Sequence, residues 1–230
     1  MNGTPEGGGG TKTLPVVIVI ALLAGGGFFV FRAAQPRLVD QLAVAEENLT
    51  TRQKLLEQGP AAVDDLIEVA QDPKHLGRAD AIELLGRIGD LRAVPVLLAI
   101  DDPNLARERL EALGAIPDPR TLPVLLEALH SKRAELSYSA LFCLVQRDDA
   151  PIDVLVPFLG SGRSRERSLA AEAMGNRRHL PALLTLIEML DDEESQVREA
   201  AARALLQLGD PKGNAAVDRA VERGAVTFAE

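Results

Sequence analysis

The chain has 230 residues, of which 47% are hydrophobic but only 3% are aromatic, and it contains no Trp. A core must therefore be packed from Leu, Ala, Val and Ile, which favours closely spaced helices over a β-sandwich or barrel. The formal net charge of −9 would repel the phosphates of DNA or RNA, and few aromatic side chains are present to stack on bases. The composition predicts a folded, all-α protein with no nucleic-acid partner.

The first residues predict a membrane attachment. Residues 1–13 are rich in Gly and are predicted to be a flexible tail. Residues 14–31 contain no charged side chain, and as a helix these 18 residues would span about 27 Å, close to the ~30 Å hydrocarbon core of a bilayer. We predict a transmembrane helix over 14–31, and hence a single-pass protein bound to the membrane through this segment.

A cleaved signal peptide and a buried core helix are the alternatives to an anchor. A signal peptide would end in small residues, whereas this segment ends in a Phe-rich run followed by Arg32, which fits an uncleaved anchor better. By the positive-inside rule, Arg32 and Arg37 against Lys12 place the repeats in the cytoplasm. The margin is one charge, so the opposite orientation stays open.

Residues 32–74 are predicted to form a linker helix and a degenerate capping repeat. Leu38, Leu42, Ala45 and Leu49 recur at spacings of four, three and four residues, which is typical of one face of an amphipathic helix. We expect this face to pack onto the first repeat.

One pattern then returns five times over residues 75–222. In each unit, a pair of apolar residues marks the first helix, a turn follows, and a second apolar helix comes after it. The pairs are Leu84-Leu85, Ala112-Leu113, Ala140-Leu141, Ala173-Met174 and Ala204-Leu205. A single helix pair cannot bury its apolar face, so such units must stack on their neighbours. The repetition predicts a helical solenoid.

Unit five carries the motifs most completely. It contains Val197-Arg198, Ala200-Ala201, Ala204-Leu205 and Gly209-Asp210-Pro211. In these motifs the chain resembles the HEAT-like repeats of the phycobilisome-lyase type. The resemblance implies an all-α fold, an α-α superhelix of HEAT-like repeats over 75–222 behind the N-terminal transmembrane helix, with a tail at 223–230. Unit three departs most, because Arg147-Asp-Asp-Ala150 lacks the Gly of the turn and the spacing from its apolar pair to the next is stretched to 33 residues.

Motifs for catalysis or metal binding are missing from the sequence. His75, His130 and His179 are far apart in sequence, and the acidic clusters lack the spacing of a calcium loop. Cys143 lies in an apolar helical run, where a buried thiol is expected. We predict that the chain is not an enzyme and has no catalytic residue, metal ligand or cofactor. The resemblance leaves one enzymatic alternative, because some relatives attach bilin chromophores.

The predicted function is therefore a membrane-anchored scaffold or adaptor for a protein partner, and the alternative is a permanent structural subunit of a membrane assembly. In four units a basic residue follows the turn, and we call these residues the basic ladder: Arg92, Arg120, Arg177, Arg178 and Lys212. If the units stack about 10 Å apart, the basic ladder would fit an acidic partner. The alternative is that each cation is solvated or pairs with the Asp that caps the next helix.

Overall fold

The computed structural model describes residues 18–22, 28–32, 37–43 and 48–227. The last range contains the α-helices α1 (Asn48–Gln58), α2 (Val63–Gln71), α3 (Arg78–Ile88), α4 (Val94–Ala99), α5 (Ala106–Ala115), α6 (Leu122–Ala128), α7 (Ala134–Val145), α8 (Ser164–Asn176), α9 (Leu183–Glu188), α10 (Ser195–Leu208) and α11 (Pro211–Glu222). A long 3-10 helix, Ile152–Gly160, stands between α7 and α8. Shorter 3-10 turns join many of the α-helices.

Two short strands lie where the sequence predicts a transmembrane helix. Strand β1 (Ile18–Leu22) pairs antiparallel with β2 (Phe28–Arg32). Both strands are rich in β-branched or aromatic residues, which favour extended backbone over helix in water. The other residues of 14–31 and the Gly-rich tail 1–13 lie outside the described residues, so the predicted helix is not shown.

Across the described ranges, no helix combines the length and the apolar character that crossing a bilayer requires.

In residues 32–74, where the sequence predicts a linker helix and a capping repeat, the structure has several elements that are shorter than expected. The linker contains a 3-10 turn, Leu38–Ala43, in which Val39 and Leu42 are buried. It packs on α1, and α1 in turn packs on α3 of unit one. Ala45 lies outside the described residues. The pair α1 and α2 forms the degenerate unit that precedes unit one.

The helices of the five units form a continuous stack. The first helices pack side by side, α3 on α5, α5 on α7, α7 on α8 and α8 on α10. The ten residues of the five apolar pairs are all buried, and each has at most 2% of its surface exposed. The helix register that the sequence predicts is therefore confirmed. Because each inner unit is covered on both sides, its apolar face is withdrawn from water.

Glycines directly after three of the pairs bring the first helices into contact. They are Gly86, Gly114 and Gly175, and a Cβ at these places would lie 2.5 Å from Cα of Ala112, 2.2 Å from Sγ of Cys143 and 2.6 Å from Cα of Ala204. Real Cβ atoms do not approach other heavy atoms so closely, so only Gly permits this helix spacing.

Unit three departs from the other units, as its sequence indicates. Its second helix is the 3-10 helix Ile152–Gly160, which has Pro157 in its interior. Proline removes a backbone donor and clashes with the preceding turn of an α-helix, so a regular helix is disfavoured at this place. The buried side chains also divide nearby into two clusters, one over residues 39–116 and one over residues 110–226. Helix α5 contributes to both.

Candidate functional site

The turns inside units one, two and five are built around a helix-capping Asp. In three units the Asp carboxylate accepts a hydrogen bond from the backbone N–H two residues later, from Arg92 to Asp90 at 2.9 Å, from Arg120 to Asp118 at 2.8 Å and from Lys212 to Asp210 at 2.9 Å. This arrangement satisfies a donor that the helix start would otherwise leave unpaired. The caps hold three members of the basic ladder at equivalent places in the turns.

Arg92 links the turn of unit one to the degenerate unit. Its Nη2 donates to the carbonyl of Pro60 at 2.7 Å and its Nη1 to the carboxylate of Asp64 at 2.8 Å. The same guanidinium also bonds Asp90 in its own turn. The donors of Arg92 are thus largely engaged inside the molecule.

Arg120 pairs instead within its own turn. Its Nε donates to Oδ1 of Asp118 at 3.0 Å and its Nη2 to Oδ2 at 2.6 Å. These hydrogen bonds hold the pKa of the Asp118 carboxyl at about 2. The Arg120 side chain is half exposed, and no bond from it to another unit is found within residues 48–227.

The remaining members of the basic ladder differ in their engagement. Arg177 donates from Nη2 to the carbonyl of Asp148 in unit three, at 3.3 Å. Arg178 has a left-handed backbone with φ of 49° and an exposed side chain. Lys212 is also exposed. Side-chain bonds of Arg178 and Lys212 are not found among the described residues, so the basic ladder contains two linking cations and three that face solvent.

Arg147, which opens the turn of unit three, bonds several groups in the turn of unit two. Its Nη1 donates to Oγ1 of Thr121 at 2.6 Å and to the carbonyl of Ile116 at 3.2 Å. Its Nη2 donates to the carbonyl of Asp118 at 3.1 Å. Only 6% of the side chain is exposed. Arg92, Arg147 and Arg177 therefore each bond the turn of the preceding unit.

A second set of arginines joins the units at the opposite ends of the first helices. Its members stand six residues before the apolar pair, at Arg78, Arg167 and Arg198. Arg167, for example, donates to the carbonyl of Ser161 and, through two nitrogens at 2.8 Å each, to Asp192 in the next gap. These bonds connect three consecutive segments of the stack. Most guanidinium donors of this set are therefore used within the molecule and are not available to a partner.

The residues considered for chemistry lie apart. No group of three or more His, Cys, Asp or Glu that could hold a metal ion is found in the part of the chain that the structure describes. Burial raises the pKa of the Cys143 thiol to about 11, which disfavours the reactive thiolate. That the protein is not an enzyme and needs no cofactor stays a prediction.

An apolar groove lies between α5 and α7. It has a volume of about 520 Å³ and is lined by Glu111, Gly114, Ala115, Tyr138, Ser139, Phe142, Cys143 and Gln146. A second depression continues it past Pro117 towards Asp148 and Asp149. The ring of Phe142 stands beside the groove and is 47% exposed. This groove could not be predicted from the sequence, because it depends on how closely two helices from different units approach.

Comparison with known proteins identifies the repeats. Residues 77–102 and 110–131 match the model of the PBS lyase HEAT-like repeat, and residues 152–225 match the model of HEAT repeats. No curated protein sequence matches the chain.

The chain also aligns with several solved structures. The Escherichia coli protein YibA aligns at 17% identity over 84% of this chain and 86% of its own, with a TM-score of 0.51. The complex of CpcE and CpcF of phycocyanin lyase from Nostoc sp. PCC7120 aligns at 22% identity over 87% of this chain and 93% of that one, with a TM-score of 0.47. Human deoxyhypusine hydroxylase aligns at 20% identity over 81% and 92%, with a TM-score of 0.36. The helical stack of this chain is built from HEAT and PBS lyase HEAT-like repeats.

Proposed function

We propose that the protein is a scaffold that binds a protein partner along its repeat stack while residues 14–31 attach it to a membrane. The observation that carries this proposal is the stack itself, in which HEAT repeats place equivalent turns and helices in a long row. Extended rows of this kind serve as binding surfaces in repeat proteins. We propose a binding role rather than an enzymatic one.

The exposed members of the basic ladder support an acidic partner. Arg120, Arg178 and Lys212 lie in the turns of three different units, and their side chains are exposed. The protein as a whole has a net charge of −9, so a row of cations at one edge would orient an approaching acidic surface. Arg92 and Arg177 serve this surface less directly, because their guanidinium groups bond the preceding unit.

The membrane attachment is supported by the uncharged sequence of residues 14–31. In a bilayer the two edges of a two-stranded sheet would leave backbone groups unbonded, at a cost of several kcal/mol each. We therefore propose that this segment is helical when it enters lipid. The flanking charges favour a repeat domain on the cytoplasmic side.

A permanent structural subunit is the second candidate, and the second helices favour it. Leu180, in the 3-10 turn before α9, and Leu184, in the first turn of α9, are 54% and 58% exposed. Large apolar side chains at such exposure are typical of interfaces that stay assembled. A permanent subunit should copurify with a partner in fixed stoichiometry, whereas an adaptor should lose its partner on dilution.

The binding edge is tested by reversing its exposed charges in the full-length chain. The test variant carries Arg120→Glu, Arg178→Glu and Lys212→Glu. The control variant carries Lys132→Glu, Arg165→Glu and Arg219→Glu, which make the same change in net charge at exposed positions away from the turn edge.

Each protein would be extracted in mild detergent, and its copurifying proteins would be quantified by mass spectrometry. We expect the test variant to lose a partner that the wild type and the control variant retain. All three should be folded, and the test variant should melt at a somewhat lower temperature because Arg120→Glu breaks the pair with Asp118. Equal recovery of every partner from the two variants would contradict the binding edge.

A further inference from the structure

We propose that the groove between α5 and α7 is a second docking site, which accepts a partner segment that presents one large apolar side chain flanked by Lys or Arg. This inference rests on the proposed scaffold function. The groove is formed by first helices, whereas the basic ladder lies in the turns.

Small residues create the floor of the groove. Gly114 and Ala115 end α5 next to α7, and Tyr138 and Phe142 of α7 line the groove with them. Because a Cβ at Gly114 would lie 2.2 Å from the Cys143 sulfur, no larger residue fits there and the floor stays low. The groove also lies where the two hydrophobic clusters meet, and seams between packed units are common places for binding.

Phe142 is a large side chain at a position where most units of the stack have Gly. It directly follows the apolar pair of unit three, and three of the other four units have Gly at the equivalent place. Unit five has Leu206 at this place, in α10, and Leu206 is likewise 47% exposed. Helix α10 is the first helix of the final unit, so no further unit stacks beyond it in the described residues. An exposed aromatic ring beside a groove is the type of side chain that anchors protein interfaces.

The charges around the groove decide which partner fits. Glu111 lies at one end, and Asp148 and Asp149 lie at the other. About half of the Glu111 and Asp149 side chains is exposed, and Asp148 is exposed as well. Arg147 is the cation among these lining residues, and its Nε and Nη2 pair with Asp149 at 2.8 and 2.7 Å while its other bonds go to Thr121 and backbone carbonyls. Three carboxylates thus stand against one cation in the lining, and Glu111 and Asp148 are not bonded by Arg147. The rim is therefore negative and complementary to a basic segment.

The probe is the peptide Lys-Lys-Trp-Lys-Lys, added to the full-length protein in a non-ionic detergent. The protein contains no Trp, so the fluorescence of the peptide reports its own burial. One comparison peptide is Glu-Glu-Trp-Glu-Glu. The other is Lys-Lys-Ser-Lys-Lys, which has no Trp, so its binding is measured by competition with the basic Trp peptide. Empty micelles give the background fluorescence.

Three variants make the test specific. Ala115→Tyr fills the floor from an exposed position, and Glu111→Lys with Asp148→Lys reverses the rim. Glu127→Lys with Glu188→Lys makes the same change in net charge at exposed positions of the second helices and serves as the matched control. Melting curves check that each variant is folded.

We expect the basic Trp peptide to bind the wild type with a blue-shifted emission, and Ala115→Tyr to weaken it at least about tenfold. The rim-reversed variant should instead prefer the acidic Trp peptide, while the matched control keeps the preference of the wild type. Equal binding of the two Trp peptides, or an equal effect of the two charge reversals, would overturn the proposal.

Self-association that Ala115→Tyr abolishes, without peptide binding, would assign the groove to a second copy of this chain and would also overturn it. If the basic peptide does not bind the groove but partner proteins still copurify, the groove proposal is refuted and the scaffold function stands. Peptide binding without any copurifying partner would refute the scaffold function alone.

Discussion

Arg147 donates a 2.6 Å hydrogen bond from Nη1 to Oγ1 of Thr121, and this bond crosses from unit three to unit two. Thr121 is fully buried, and the same guanidinium bonds the backbone carbonyls of Ile116 and Asp118. A buried cation thus satisfies polar groups at the place where the two hydrophobic clusters meet. Buried carbonyls without a donor are costly, so this side chain holds the two parts of the stack together.

We expect Arg147→Met to lower the free energy of unfolding by about 3 kcal/mol, because it leaves buried carbonyls unbonded. The control is Arg87→Met, which removes an exposed guanidinium whose ion pair, as far as the structure describes the chain, is with Glu83 of the same helix α3. The control should cost less than about 1 kcal/mol, as is usual for exposed ion pairs. Urea unfolding of both variants measures the difference, and equal midpoints would show that Arg147 is not a structural link.

The contact of Gly114 with Cys143 makes a second prediction. Gly114→Ala should destabilise the protein by about 1–3 kcal/mol, since the new methyl group overlaps the Cys143 side chain. Gly162→Ala is the matched control, because a Cβ at Gly162 meets no atom within 4 Å. We expect it to be neutral or slightly stabilising. Thermal unfolding in the same buffer compares them, and a neutral Gly114→Ala would mean that α5 and α7 lie further apart.

Acid should remove the contribution of the Asp118 cap. Hydrogen bonds from Arg120 lower the pKa of Asp118 from its ordinary value of 3.8 to about 2 in the folded protein. A carboxyl whose folded pKa is lowered stabilises the fold above its unfolded pKa, and this contribution is lost as the pH falls through the folded value. The stability difference between wild type and Asp118→Asn should therefore be full above about pH 4 and decline towards pH 2.

Measuring that difference by urea unfolding at a series of pH values tests the prediction. Asp148→Asn serves as the control for the substitution itself, because Asp148 is exposed. A wild-type advantage that stays constant from pH 5 to pH 2 would contradict the role of the Arg120 pair.

Deletion of residues 1–36 tests the membrane attachment. The deletion keeps Arg37, which pairs with Glu68 of the degenerate unit, and so should leave the repeat stack folded. We expect the shortened chain to move from the membrane pellet to the supernatant after cell fractionation, with an unchanged helical circular dichroism signal. A full-length chain that is already in the supernatant without detergent would show that residues 14–31 are not an anchor.

The helix register could be predicted from sequence because the apolar pairs recur at nearly constant spacing. The close contacts could not, although a signal was present: Gly86, Gly114 and Gly175 each follow their pair directly. Periodicity shows which face of a helix is buried, but the distance between two helices depends on the side chains of both.

The partners of the turn cations were equally hard to predict. Arg120 follows the pattern that the sequence suggests and pairs with the capping Asp. Arg92 and Arg147 instead reach the preceding unit, about thirty residues back. Such contacts depend on how the units stack and not on local spacing. For segment 14–31 the difficulty is different, because its composition is compatible with a helix in lipid and with strands in water.

Binding of a partner protein to the repeat stack can be detected by site-specific photo-crosslinking in cells. A photoreactive residue would replace Arg178 in the turn edge of the full-length protein, and Lys132 would be replaced in a parallel sample as a control away from that edge. We expect an adduct with one protein from position 178, and a much weaker adduct from position 132. No protein adduct from position 178, or the same mixture of adducts from both positions, would contradict it.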